Sequence, residues 1–121
     1  MSAVTTRVGS VVVLTVGGEV DLYSAPELVD TVVAALHLPG GGTPHGEPVT
    51  AVIADLTGVV FLSSAGLGTL AALSTRLGED GIALRLVGGD NRAVTRPWTA
   101  MHLGDLLPLH PDLPAALQSV T

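Results

Sequence analysis

"VIADLTGVVFLSSAGLGTLAALSTRLG", residues 52–78, sets two different rhythms back to back. The run "VTAVIADL" (49–56) is continuously apolar up to Asp55. Such a run suits a strand buried on both faces, as in a parallel sheet. Further on, Leu67, Leu70, Leu73 and Leu77 recur at helical spacing. They predict one buried helix face, with Gly78 as the residue just beyond the helix. Between the two stands "FLSSAGLG" (61–68). A buried strand passing directly into an amphipathic helix is half of a β-α-β unit, and that is the decisive clue to fold class.

The same alternation extends outward in both directions. "VVVLTVGGEV" (11–20) reads as a strand closed by a turn at Gly17-Gly18, and "AVTTRV" can pair with it as a hairpin through Gly9-Ser10. Ser24 and Glu27 form a capping-box pattern, and Pro26 suits a first helical turn. Leu28, Val32, Ala35 and Leu36 then share a face. "PGGGTPHGEP" (39–48) reads as a flexible Pro/Gly loop. "IALRLVGG" (82–89) is another strand. "DNRAVTRPWTAMHLG" (90–104) opens on an Asp-Asn cap, with Val94, Trp98 and Met101 on one face. Pro97 inside it predicts a kink or a late start. "LLPLH" (106–110) is a short strand that Pro108 assigns to a sheet edge, and Asp112 caps a last short helix. The predicted class is α/β: a mixed, mostly parallel sheet with about four helices, ordered β-β-α-β-α-β-α-β-α, in one domain over 1–121.

Composition removes several functions. The chain of 121 residues has no cysteine, which excludes disulfides and thiolate chemistry. A net charge of -6 opposes nucleic acid and anionic lipid. No signal-peptide pattern or membrane-length apolar run is present, so a cytoplasmic location is expected. An apolar fraction of 47% leaves extra surface for a partner.

Functional groups in such sheets gather beyond the carboxyl ends of the strands. That places Asp21, Asp55, Ser63, Ser64 and Asp90 near one another. The three acids fit turns and caps better than a cation, so no metal and no cofactor are expected. No histidine neighbours the serines, and "SSAGLG" lacks the glycine pattern of a nucleophile elbow, so no catalysis is expected. Ser64 stands where a helix N-cap belongs. A phosphate is physically tolerable there too, since a helix start offers free N–H donors. Composition leaves cap and switch both open.

Four segments in order resemble the STAS domain of bacterial anti-sigma factor antagonists: "GGEVDLYSAPEL", "VIADLTGVVFLSSAGLGTL", "GIALRLVGGDNRAV" and "HLGDLLPLHPDLPAAL". The resemblance implies a STAS fold and a switched binding module. Its partner would be an anti-sigma factor that is also a serine kinase, a phosphatase would reset it, and sigma factor would be released to activate transcription. In the common form the serine directly before Gly-Leu-Gly takes the phosphate. Phe61 and Gly66–Gly68 set the register, and Ala65 falls on that serine. Ser64, or Ser63, is then the phosphorylation candidate, or the protein is not switched there. The implied contact comprises Asp21, Ser63, Ser64, Ala65, Gly66, Leu67 and Gly68. The alternative is a STAS subunit of an ABC-type lipid transporter, or another unphosphorylated STAS module, which needs no phosphoserine.

Overall fold

The apolar run at 49–56 becomes the middle of a five-stranded sheet in the computed structural model, which describes residues 1–37 and 48–121. The loop expected at 39–48 lies outside the described residues apart from Pro48. Strand β1 (Ser2–Val8) pairs antiparallel with β2 (Val11–Val20). Strands β2, β3 (Ala51–Leu62), β4 (Ala83–Val87) and β5 (Leu109–His110) run parallel in that order. Helices α1 (Ala25–His37), α2 (Ser64–Glu79), α3 (Arg92–Ala100) and α4 (Leu113–Ser119) complete the expected β-β-α-β-α-β-α-β-α order.

Strand β3 is apolar on both faces because both are covered. Val52, Ala54 and Leu56 share a core with α1, α2 and α3. Ala51 and Ile53 pack with Ala116 of α4. Leu67, Leu70, Leu73 and Leu77 are all buried, as the stripe predicts. Each contributes about 1.5–3 kcal/mol of burial. Leu28, Val32 and Ala35 are buried on α1, with Leu36 partly so. Asp112 caps α4 by accepting from Ala115 N at 2.9 Å.

Several boundaries differ from the sequence reading. Gly17-Gly18 lies inside β2, opposite bulges in β3, and is not a turn, and β3 continues past Asp55 to Leu62. Both differences have one cause. The pairing shifts between Thr15 and Gly17 and again between Gly18 and Glu19, so β3 spends two extra residues. Asp55 Oδ1 accepts from Thr57 N at 3.0 Å and Thr57 Oγ1 at 2.8 Å, a turn-like contact inside a bulged strand. Helix α2 ends later than expected. Gly78 is helical, and Gly81 takes the left-handed position with φ +73°. Ile82 N donates to Leu77 O at 2.9 Å and Gly81 N to Gly78 O at 3.1 Å, a Schellman ending. Ser24 Oγ does not cap forward toward Glu27; it accepts from Asp21 N at 3.0 Å and lies 3.0 Å from Glu19 O. Helix α3 starts on time at Arg92, with Pro97 near its end, and stops before His102, whose φ is +54°. Asn91, not Asp90, is its cap.

Candidate functional site

The ends of β2 and β3 build the site. Val20 is level with Leu62, and Ser63 N donates to Val20 O at 2.9 Å. Chain direction then changes sharply, and α2 begins one residue on. Ser63 is its N-cap: φ is -76°, ψ is 161°, and Oγ accepts from Gly66 N at 2.9 Å. This corrects the expectation that Ser64 caps the helix. Ser64 is the first helical residue, exposed, and its hydroxyl makes no hydrogen bond among the described residues. Ala65 follows, also exposed, and Gly66 and Leu67 are buried. Serine oxygens compete equally well for either position from sequence, and only the pairing of Ser63 N with Val20 O decides which one is left outside the helix.

Gly66 is dictated by packing. A Cβ there would stand 2.7 Å from Val20 O and 3.1 Å from Val20 C. The start of α2 therefore rests on the backbone of β2. Gly68 meets nothing within 4 Å and carries no such constraint.

Asp21 lies one residue beyond the Val20–Leu62 pair. Its Oδ1 accepts from Tyr23 N and Ser24 N, each at 2.9 Å, and sits 3.2 Å from Ser24 Oγ. All these bonds stay within its own turn, and none reaches Ser63 or Ser64. The backbone N–H of Ser24 is the main cause holding the Asp21 carboxyl below its ordinary value; desolvation works against it, and the Tyr23 N–H, the Ser24 hydroxyl and the charge of the amino terminus add to the lowering. A depressed pKa means the ionised turn is favoured above the unfolded value and is lost as pH falls through the folded one. The Tyr23 and Ser24 amide resonances should thus stay fixed down to about pH 4, the ordinary carboxylate range, and move only below it. Movement of both near pH 6 would show that this carboxylate does not hold the turn.

The other acids do not join it. Asp55 is bound to Thr57, Asp90 is exposed, and the described residues hold no group of three or more His, Asp or Glu that could share a metal. Among the described residues no helix is long and apolar enough to cross a membrane.

Sequence reasoning missed two features. Asn91 joins β3 to α3. Its Oδ1 accepts from Ala93 N at 3.0 Å, and its Nδ2 donates to Leu56 O at 3.1 Å and Val59 O at 2.7 Å. Leu56 and Val59 lie beyond the last β3–β4 pair, Asp55 with Val87, and Asn91 supplies the donors that β4 no longer gives their carbonyls. Second, Leu22, Tyr23, Val60 and Phe61 are exposed, two in the turn after β2 and two near the end of β3, next to the paired strand ends Val20 and Leu62. Phe and Tyr each occur once in the chain, and both are exposed here. The shifted pairing was the signal needed, and it is not visible in residue order.

This fold has known counterparts. The STAS domain family model matches residues 2–116, and the chain belongs to that family. It is 32% identical over 110 residues to "Anti-sigma-F factor antagonist RsfA" of Mycobacterium tuberculosis, spanning 91% of this chain and 80% of that one. The crystal structure of an anti-sigma factor antagonist from Mycobacterium paratuberculosis superposes with a TM-score of 0.80 at 30% identity, covering 98% of this chain and 92% of that one. SpoIIAA in its unphosphorylated form shares the fold, with a TM-score of 0.72 at 17% identity over 99% of each chain.

Proposed function

We propose that this chain is an anti-sigma factor antagonist acting in the cytoplasm. It captures an anti-sigma factor and so releases a sigma factor for transcription. The observation that carries this reading is similarity at 30% identity or more, over nine-tenths of the chain, to proteins named as such antagonists. The SLC26A9 transporter structures share the fold at 17% and 18% identity, which speaks for the fold alone. The contact centres on Asp21, Ser63, Ser64, Ala65, Gly66, Leu67 and Gly68. Of these, Gly66 and Leu67 are buried and shape the surface from below, whereas Ser64 and Ala65 are exposed on it. Titration calorimetry of the full chain against each purified anti-sigma factor of its source organism tests the proposal. Saturable binding to one of them, with displacement of its sigma factor, is the expected result. Failure with all of them removes the reading.

Ser64 is the phosphate acceptor in this reading, and the partner is the kinase. Ala65 has no oxygen, and Ser63 Oγ is engaged with Gly66 N. Ser64 Oγ makes no hydrogen bond among the described residues and is exposed at the N-terminal, positive end of α2. A phosphate there brings nearly two negative charges to the contact surface. Intact-mass analysis after incubation with ATP and the binding partner should show one phosphate, lost in Ser64→Ala. The Ser64→Asp variant should bind about tenfold or more weakly through the same charge effect. Binding without any added phosphate would reduce the protein to an unswitched antagonist.

A further inference from the structure

We infer that the partner grips this chain through an apolar pocket that receives Tyr23 and Phe61, and that this pocket is rimmed by lysine or arginine. The inference rests on the antagonist reading and names the chemistry of the surface it uses. Tyr23 is 89% exposed and Phe61 50% exposed, in a chain whose only other aromatic residue is Trp98. Trp98 is partly buried and donates through Nε1 to Leu107 O at 2.7 Å, as a core aromatic should. The two exposed rings are placed differently. Phe61 is paired with Glu19 near the ends of β3 and β2, and Tyr23 lies in the turn that leaves β2. Leu22 and Val60 beside them are 61% and 70% exposed. The patch is therefore continuous in strand order with the proposed contact at Ser63 to Gly68. Exposed aromatics in such a patch are the residue types that anchor protein interfaces.

Charge selects the partner. Six of the eleven acids and none of the five bases lie between Arg7 and Arg76. The whole net charge of -6 thus belongs to the segment that includes this rim, while the rest of the chain is balanced. Glu19 is exposed directly beside Phe61 in the pairing. A basic border on the partner would be drawn to this rim and would speed encounter. The turn itself is already ordered: Asp21 holds the Tyr23 and Ser24 amides, so little backbone freedom is lost on docking.

The test uses the full chain and the anti-sigma factor that binds it in the titration above. Tyr23→Ala and Phe61→Ala should each weaken binding at least tenfold, mainly through faster dissociation. Val8→Ala, which trims an exposed valine beside the Gly9 turn at the opposite end of β2, should change affinity less than twofold. Glu19→Lys should slow association severalfold at low salt and flatten its salt dependence. Tyr23 is nearly all in solvent, so Tyr23→Ala keeps its fold, and an unchanged unfolding midpoint confirms that. Tight wild-type binding left within twofold by both aromatic variants, or an association rate raised by Glu19→Lys, overturns this inference alone. Absence of wild-type binding to any anti-sigma factor overturns it together with the antagonist reading.

Discussion

Gly66→Ala should cost about 3 kcal/mol of stability, the upper range for a methyl group forced into a packed site. The new Cβ would lie 2.7 Å from Val20 O, a separation that real Cβ atoms do not hold. Relief must come from backbone, because Val20 is itself completely buried and level with Leu62 in the sheet. The same carbonyl accepts from Ser63 N at 2.9 Å, so pushing it aside also loosens the N-cap. Gly68→Ala is the internal control. Nothing lies within 4 Å of a Cβ there, and alanine is favoured over glycine inside a helix by about 1 kcal/mol. Urea unfolding of both variants should therefore give opposite signs. Two variants of equal stability would mean that α2 does not rest on β2 as described.

The contrast between those glycines explains how much of the fold was legible. Buried stripes were legible because periodicity is a property of residue order: Leu67, Leu70, Leu73 and Leu77 are buried together. The sheet's class followed from the apolar run of β3, which needs cover on both faces. Irregularities were not legible. Gly18 has φ +84°, and a glycine with positive φ serves a turn or a bulge equally well. Asp55-Leu-Thr-Gly has turn chemistry, yet it forms a bulge because the strand finds partners again at Gly58. The site inherits that ambiguity. Its place at a strand-to-helix junction was readable from "FLSSAGLG", but the exchange of roles between Ser63 and Ser64 depends on one backbone bond to Val20. Residue order gives no sign that Tyr23 and Phe61 are exposed, and one of the two extra residues of β3 lies just before Phe61.

Asn91→Asp should be more damaging than Asn91→Ala, against the usual ranking of helix caps. Aspartate is as good an N-cap as asparagine, so the bond from Ala93 N is retained. What aspartate lacks is the pair of N–H donors. Asn91 Nδ2 lies 2.7 Å from Val59 O and 3.1 Å from Leu56 O, with Thr57 O at 3.4 Å. A carboxylate there would face three carbonyl oxygens and leave part-buried acceptors unsatisfied. The expected loss is about 3 kcal/mol, against about 2 kcal/mol for alanine, which forfeits cap and bridge but adds no charge. The acid form can donate once, so the deficit of Asn91→Asp should shrink as pH falls and the new carboxyl takes up a proton. That sign follows because burial among carbonyls raises its folded pKa, and the penalty is complete only above it. Urea midpoints at neutral and mildly acidic pH would reveal the trend. An aspartate variant as stable as wild type at neutral pH would show that the bridge does not anchor this end of β3. Since Val59, whose carbonyl Asn91 holds, adjoins Val60 and Phe61, the same variant should also weaken partner binding without touching the rim.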